Sequence, residues 1–347
     1  MAFLKAIWLI SLCMAAASIV LMMVLILWRL VRDAAARRTG KRRSEVTQVL
    51  LEALEQPTSD TMPEVRIATR DLPILDDVIG ELLDVVTGQM RGRLVDILRS
   101  IGAETHAIQS LRHGSVTERR RAARTLGLFR SPAGADALRR ALDDPHVDVR
   151  IAAAEAISST GVAIALPDLV VSLRIGVEPP SRRLRKIFRW LAATQVDALL
   201  ALLRTAALPR VKMLAVDALA HSIDYRAVEA ILAVSGDASD ELRAEALRGL
   251  SVLGHPAALP AVQRGLTDPA WPVRAQAARC AGRIGFAQTG NEVAHLLHDD
   301  AWWVRYRAAE ALLALGGPSA ALLHQIAGEA SRAGRIAQLV LAEKAAA

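Results

Sequence analysis

An internal repeat in the last two-thirds of the chain restricts the fold more than any other feature of the sequence. Each copy has an apolar residue and a basic residue, followed by small residues and Leu. The aligned basic positions are Arg120, Arg150, Arg185, Lys212, Arg243, Arg274 and Arg305. The last four of these positions are equally spaced, whereas the intervals before them are uneven. Three equal intervals in succession predict an array of stacked structural units.

Each copy is organised as a pair of helices. Asp144–Pro145 and Asp268–Pro269 are expected to open the second helix, because Asp caps free N–H groups and Pro is tolerated at the first helical position. Glycines are expected at the helix C-caps, where a left-handed backbone is common; they are Gly161, Gly254, Gly285 and Gly316. Apolar residues recur every three or four positions, so each helix has one apolar stripe. A single pair cannot bury this stripe but a stack can, which predicts an all-α chain.

The order of Asp, then Arg six positions later, then Ala-Ala and Leu-Gly resembles the HEAT repeat over about residues 111–341. The spacing of the last four copies is shorter than the usual HEAT unit and is similar to that of the short bacterial HEAT-like repeats, including those named after phycobilin lyases. The resemblance implies a right-handed α-solenoid of about seven helix pairs. Residues 176–181 interrupt the series, and we expect an irregular loop there.

The resemblance also implies a structural ladder of acid–base pairs between neighbouring units. The matching pairs are Asp144/Arg150, Asp237/Arg243, Asp268/Arg274 and Asp299/Arg305.

The N-terminal segment, residues 6–28, has 23 residues and no charge. In a helix it would span about 34 Å, enough to cross a bilayer core. Trp8 and Trp28 stand near its ends, where the aromatic belts of a membrane lie. Seven Lys and Arg residues follow within residues 29–43, whereas Lys5 alone precedes it. The positive-inside rule therefore predicts a single-pass protein with its N-terminus outside and its repeats in the cytoplasm. The resemblance to bacterial repeats implies that this membrane is the bacterial inner membrane.

The sequence predicts four regions. They are an anchor over residues 1–28, a basic juxtamembrane segment and linker over 29–63, a helical N-terminal cap over 64–110 and the repeat solenoid over 111–347. The net charge of +7 lies mostly in the juxtamembrane segment. The near-neutral remainder argues against nucleic-acid binding.

Motifs for enzymatic chemistry are missing from the sequence. It contains no phosphate loop, dinucleotide fingerprint, nucleophile elbow or zinc-cysteine cluster. His295 and His298 lie beside Asp299, but no third convergent ligand accompanies them, and the ladder already uses Asp299. Cys13 and Cys280 allow no disulfide framework. We predict a protein that is not an enzyme and has no metal and no cofactor.

The predicted second helices carry 19 cations, Lys186 among them, and eight acids. One hypothesis is a basic concave face that attracts an acidic partner segment. The alternative is a set of solvated arginines whose stems cover apolar surface. The candidate partner-binding residues are Arg183, Arg248, Arg279 and Trp303. For Trp271 and Trp302, which occupy equivalent repeat positions, we expect packing between stacked helices.

These observations favour a membrane-tethered cytoplasmic scaffold that binds a protein partner. The resemblance implies a role in organising an envelope or polysaccharide-synthesis assembly, with a membrane glycosyltransferase as a partner. Two alternatives remain open from the same resemblance. One is a lyase that attaches bilin chromophores, and the other is recognition of nucleic acid.

Overall fold

A computed structural model describes residues 21–23, 25–26, 28–29, 40–54, 71, 74–75, 78–79, 82, 86–160, 164–175, 182–206 and 208–346. All regular structure in these ranges is helical, so the predicted all-α class is confirmed there. Most of the predicted transmembrane segment lies outside these ranges, as do Trp8, Gly161 and the interrupting residues 176–181. No helix in the described part of the chain is long and apolar enough to cross a membrane.

The chain forms two compact units, residues 1–141 and 142–347. The first contains a helical segment over residues 40–54 and the helices α1 (Gln89–Ser100), α2 (Ala103–His113), α3 (Val116–Phe129) and α4 (Pro132–Ala141). The predicted boundary between residues 110 and 111 falls inside α2. Helix α3 packs against α2 and α4, and it begins with a capping box in which Ser115 and Glu118 exchange hydrogen bonds.

The second unit continues the helix pairs. Its helices are α5 (Val147–Thr160), α6 (Leu166–Ser172), α7 (Arg182–Leu191), α8 (Val196–Thr205), α9 (Pro209–Ala220), α10 (Arg226–Val234), α11 (Asp240–Leu253), α12 (Leu259–Leu266), α13 (Trp271–Ile284), α14 (Gly290–His295), α15 (Trp302–Leu315), α16 (Gly317–Ala327) and α17 (Arg332–Ala345). Short 3₁₀ turns flank α12 and α14.

The odd-numbered helices of the second unit, α5 to α17, are the second members of the pairs, and we call them the second-helix row. Each helix of the row packs against the next. From α8 onward, each first helix packs against the second helix of its own pair. This arrangement is the solenoid-like stack that the repeats predict. Its right-handed sense stays a prediction.

Small residues allow neighbouring helices of the row to approach closely. A Cβ atom on Gly282 of α13 would lie 2.6 Å from the Cα of Ala311 on α15, so only glycine fits there. Gly254 and Gly285 follow α11 and α13 in the left-handed conformation, with φ of 68° and 89°. The predicted glycine C-caps are therefore present at both positions.

The Asp–Pro pairs do not open the second helices, so that prediction was wrong. Helix α13 begins at Trp271, and Pro269 lies in the preceding turn. Asp268 Oδ1 accepts a hydrogen bond from the backbone N–H of Ala270 at 2.9 Å, which closes an Asx turn before the helix. The carbonyls of Asp268 and Pro269 accept from Arg274 Nη1 at 2.8 and 2.9 Å, which holds both residues in the turn.

The expected packing of Trp271 and Trp302 between helices was also wrong. Their exposed fractions are 47% and 42%, whereas Val273 and Val304 are 1% and 0% exposed. Residues two apart on a helix point in nearly opposite directions. Because the valines point into the core, the tryptophans at the first position of α13 and α15 must point outward.

Candidate protein-binding surface on the second-helix row

The ladder arginines join consecutive units of the row. Arg243 donates from Nε and Nη2 to the two carboxylate oxygens of Asp268, both at 2.8 Å. Arg274 binds Asp299 in the same bidentate way, at 2.6 and 3.0 Å. Burial raises the pKa of Asp299, but hydrogen bonds from Arg274 and from the backbone N–H of Ala301, together with the positive charges of Arg274 and Arg305, outweigh burial and hold the pKa below its usual range. Each rung therefore links a basic residue to the acid 25 positions later.

The pairs spaced by six residues meet differently, through the backbone. Arg150 Nη1 donates to the carbonyl of Asp144 at 2.8 Å, and Arg305 Nη1 donates to that of Asp299 at 2.6 Å. The Nε atoms of these two arginines are buried and have no hydrogen-bond partner. The same ladder begins with a lysine, because Lys212 Nζ lies 3.2 Å from Asp237 Oδ2.

A second charged group, which we call the Asp217 cluster, joins α7, α9 and α11. It contains Arg185, Arg189, Asp217, Glu245 and Arg248. Asp217 is fully buried and lies 2.7 Å from Arg189 Nε, 2.6 Å from Arg248 Nη2 and 3.2 Å from Arg185 Nη1. Burial raises the pKa of its carboxyl group, but hydrogen bonds from Arg189 and Arg248 outweigh burial and hold the pKa well below the usual range.

Glu245 completes the Asp217 cluster from α11. Its Oε1 accepts from Arg185 Nη1 at 2.6 Å, and its Oε2 accepts from Arg248 Nε at 2.8 Å. The hydrogen bond with Glu245 is the largest contribution that raises the pKa of Arg248. The two acids thus neutralise most of the charge of the three arginines.

Arg183 and Arg248, two of the predicted partner-binding cations, are held in internal ion pairs. Arg183 donates to Glu155 of α5 from Nε at 3.0 Å and from Nη2 at 2.6 Å. Arg248 belongs to the Asp217 cluster. The charges of these two arginines serve contacts between helices of the second unit.

Arg279 on α13 differs from both. Within the described residues it has no hydrogen bond and no ion pair, and the same holds for Arg283 one turn later. Burial lowers the pKa of Arg279, and the nearby positive charges of Arg307 and Arg283 lower it further. The negative charge of Glu310 acts in the opposite direction, but Glu310 is hydrogen-bonded to Arg307. Arg279 and Arg283 are therefore the cations of this group without an ion pair in the described part of the chain.

The repeat register identifies what is missing beside Arg279. In the last four units, positions one repeat apart are equivalent, so Arg248 corresponds to Arg279 and Glu245 corresponds to Gln276. One unit holds a glutamate three residues before its arginine, and the next holds a glutamine there. The buried Oε1 of Gln276 has no hydrogen-bond partner. The unpaired state of Arg279 thus follows from a change of one residue between neighbouring repeats.

The first turns of α15 carry an exposed aromatic patch, composed of Trp302, Trp303 and Tyr306. The Trp302 and Tyr306 rings stack with centroids 5.1 Å apart, and the Trp302 and Trp303 rings meet edge to face at 4.7 Å. The guanidinium of Arg307 lies 6.0 Å from the Trp303 centroid. Tyr306 donates its hydroxyl hydrogen bond to Glu343 of α17 at 2.7 Å, which holds the patch against the last helix.

Reactive groups in the described part of the chain do not form a site of another kind. No group of three or more His, Cys, Asp or Glu side chains there could hold a metal ion. Cys280 is buried, and burial raises the pKa of its thiol to about 12, so the thiolate is scarce at neutral pH. The described surface therefore offers aromatic and charged groups suited to binding.

The sequence profile of the HEAT repeats matches residues 104–184, 196–273 and 262–342, well over half of the chain. The chain belongs to the HEAT-repeat proteins. The matched ranges of this HEAT-repeat protein include every residue of the ladder and of the Asp217 cluster, apart from Arg185 and Arg189 between the first two ranges. No curated protein matches the chain.

Several solved structures resemble this HEAT-repeat protein. An engineered protein is 17% identical, over 85% of this chain and 98% of that chain, with a TM-score of 0.39. The complex of CpcE and CpcF of phycocyanin lyase from Nostoc sp. PCC7120 is 23% identical, over 70% of this chain and 87% of that chain, with a TM-score of 0.32. Kap121p is 15% identical, over 85% of this chain and 41% of that chain, with a TM-score of 0.42. These likenesses carry no argument about function.

Counting charges on the second helices did not separate paired from unpaired cations. Asp217 and Glu245 are two of the eight acids on the predicted second helices, yet they neutralise most of the charge of three arginines. The signal lies in the repeat alignment, where one position holds Glu155, Asp217, Arg248, Arg279 and Glu310 in successive units that carry a charge there. A reversal of sign between adjacent units at one position indicates a contact across the helix row.

Proposed function

We propose that this HEAT-repeat protein is a membrane-tethered cytoplasmic scaffold that binds a protein partner through the second-helix row. The observation that carries the proposal is the aromatic patch of Trp302, Trp303 and Tyr306. Trp302 and Trp303 are 42% and 51% exposed, whereas monomeric proteins rarely leave adjoining tryptophans in water. Trp and Tyr are among the residues that contribute most to the free energy of binding at protein interfaces.

The organisation of the aromatic patch supports a role in binding. Its rings stack on one another, and the hydroxyl of Tyr306 is fixed by Glu343. Side chains that are already ordered lose little conformational entropy when a partner covers them. Trp271 is 47% exposed at the equivalent position of the preceding unit, so the aromatic surface recurs along the row.

The membrane tether rests on the sequence of residues 6–28 and on the basic segment that follows. An apolar run of this length and the positive-inside rule support a single inner-membrane helix with cytoplasmic repeats. Within this proposal, the partner is a component of an envelope or polysaccharide-synthesis assembly, such as a membrane glycosyltransferase. The tether would hold the repeats within reach of such a protein.

Crosslinking in intact membranes, followed by mass spectrometry, tests the scaffold. We expect one protein to be recovered with the wild-type chain and to fall at least about tenfold with the double variant Trp302→Ala/Trp303→Ala, since interface tryptophans contribute about 2 kcal/mol or more each. Tyr225→Ala, which removes an exposed aromatic residue from outside the row, is the matched control and should leave recovery unchanged.

Two outcomes would contradict the proposal. Recovery of no protein above a control that lacks the repeats would rule out a stable scaffold. Equal recovery with the double variant and with Tyr225→Ala would remove the aromatic patch from the interface. Fractionation of the same cells tests the tether, because residues 1–28 should be required for recovery in the membrane fraction.

A further inference from the structure

A recess opens between α13, α15 and α17, with a volume of about 580 Å³. Its lining contains four cations, Arg279, Arg283, Arg307 and Lys344, and two acids, Glu310 and Glu343. Apolar groups from Ala311, Ala314, Val340 and neighbouring residues complete the lining. The recess therefore combines an excess of two positive charges with an apolar floor.

The two acids of the recess are already engaged. Glu310 Oε2 lies 2.5 Å from Arg307 Nη1, and Glu343 accepts the hydroxyl of Tyr306. Arg279 and Arg283 receive neither acid as a hydrogen-bond partner within the described residues. Two guanidinium groups thus line the recess without a hydrogen bond to another described residue, and a guanidinium binds a carboxylate with bidentate geometry.

The Asp217 cluster shows how the same framework satisfies such an arginine. Arg248 binds the carboxylate of Glu245, three residues earlier on its own helix. At Arg279 the corresponding residue is Gln276, whose amide carries no charge. The group that Arg279 lacks is therefore a hydrogen-bonded carboxylate, because the nearby carboxylate of Glu310 is bound to Arg307 in the described part of the chain.

We propose that this recess binds an acidic segment of a protein partner, with one or two Glu or Asp carboxylates on Arg279 and Arg283 and an aliphatic side chain on the apolar floor. The inference rests on the proposed scaffold function and names the chemistry of its partner. A carboxylate from the partner takes the place that Glu245 occupies beside Arg248. Arg307 lies beside the ring of Trp303 and also lines the recess. The aromatic patch and the recess therefore adjoin and belong to one binding surface.

The charge balance of the recess favours an acidic peptide over a polyanion. Four cations and two acids leave room for about two negative charges, and Glu310 and Glu343 would repel a continuous line of phosphates. The apolar floor also offers nothing to a phosphate backbone, whereas it suits a Leu or Val side chain next to Glu.

Selection of a random octapeptide phage library against the full chain, purified in a neutral detergent, tests the recess. We expect enrichment of peptides in which Glu or Asp adjoins Leu, Ile or Val. Binding of a labelled peptide from this set should weaken at least about tenfold with Arg279→Gln/Arg283→Gln, since hydrogen bonds to charged groups are stronger than those between neutral groups. The same peptide with Gln in place of its acids is the ligand control.

Two further variants separate the recess from a general effect of charge. Gln276→Glu should place a carboxylate of the chain itself beside Arg279 and keep the fold. Peptide binding should then weaken to a similar extent. Arg264→Gln removes an exposed cation from α12, outside the recess, and should leave binding unchanged. Circular dichroism on each variant confirms that the helices are intact.

Several results would overturn the proposal. They are the absence of acidic enrichment, equal binding by the Arg279→Gln/Arg283→Gln variant, and a preference of the recess for duplex DNA or for anionic vesicles that the same double variant abolishes. If the crosslinked partner is still recovered through Trp302 and Trp303 while the acidic peptides fail, the recess assignment is wrong and the scaffold function stands.

Discussion

The second-helix row has two parts that share a backbone arrangement and differ in how their charges are used. In the part from α7 to α11, the Asp217 cluster, the ladder and the pair of Arg183 with Glu155 give most of the arginines an acid. In the part from α13 to α17, Arg274 keeps its ladder contact with Asp299, but Arg279 and Arg283 have no hydrogen bond and no ion pair among the described residues. Tryptophans also replace charges at the start of α15. The comparison indicates that one part is built for cohesion between units and the other for contact with something else.

The difference arises at equivalent positions of the repeat, so it does not depend on the fold. Glu245 and Gln276 stand one repeat apart, as do Arg248 and Arg279. A stack of nearly identical units can therefore assign stability to some units and recognition to others by changing single side chains. Four measurements would test this division, beginning with the largest expected effect.

Acid should destabilise the ladder and the Asp217 cluster most, because it removes several carboxylates at once. The pKa values of Asp217, Asp237, Asp268 and Asp299 are all lowered in the folded protein. A lowered folded-state pKa means that the unfolded state binds protons first, so stability is full above the unfolded value of 3.8 and is lost as the pH falls below it. We expect the Tm from circular dichroism to hold between pH 7 and pH 5 and to drop steeply toward pH 2.5. A flat profile in this range would contradict the role of the acids.

Asp217→Asn should lower the free energy of unfolding by about 3 kcal/mol at pH 7, since the variant leaves Arg189 and Arg248 beside a neutral amide. Urea unfolding measures this loss. Arg279→Gln changes a residue in the unpaired part at an equivalent repeat position and should shift the free energy by less than about 0.5 kcal/mol. Equal effects of the two substitutions would remove the distinction between the parts. The difference in the free energy of unfolding between wild type and Asp217→Asn should also become smaller below pH 3.8.

Asp268→Asn tests a single rung of the ladder. The amide can still close the Asx turn, but it no longer accepts a charge-assisted bidentate pair from Arg243. We expect a loss of about 1.5 kcal/mol in the same urea measurement. Asp300→Asn changes an exposed neighbouring turn and should cost less than about 0.5 kcal/mol. A loss of stability in Asp300→Asn but not in Asp268→Asn would contradict the assignment of Asp268 to the ladder.

Gln276→Glu should give Arg279 an ion-pair partner on its own helix, as Arg248 has in Glu245. The new carboxylate would lie three residues before Arg279, as Glu245 does before Arg248, and should add about 0.5 kcal/mol of stability. Gln263→Glu, on an exposed position of α12, is the control and should change stability little. A destabilising effect of Gln276→Glu alone would mean that Arg279 is not the unsatisfied group.

The repeat period predicted the fold well, because spacing and apolar stripes are properties of single helices and their neighbours in sequence. The glycine C-caps Gly254 and Gly285 were predicted for the same reason. The start of α13 was predicted two residues too early, since Asp–Pro fits both a helix N-terminus and an Asx turn. Trp271 and Trp302 were expected to be buried because Trp is large and apolar, although Val273 and Val304 already occupied the inward direction.

Side-chain pairing within the row could not be predicted from a count of charges. Arg183, Arg248 and Arg279 look alike in the sequence, and only contacts between residues about one repeat apart distinguish them. The ladder was expected at four Asp and Arg pairs spaced by six residues. The structure brings the arginine of each of these four pairs to the backbone carbonyl of its Asp.

Two ladder acids each make two kinds of contact, and this affects where the stack unfolds locally. Asp268 and Asp299 each close their own turn and also hold the arginine of the preceding unit. Local unfolding of one unit therefore breaks the ion pair between its Asp and the arginine of the preceding unit. Local unfolding should accordingly spread toward the N-terminus. Arg305 is the last ladder arginine in the described part of the chain, because its Nε has no hydrogen-bond partner there. Amide hydrogen exchange should accordingly be fastest in α16 and α17 and should slow progressively toward α11.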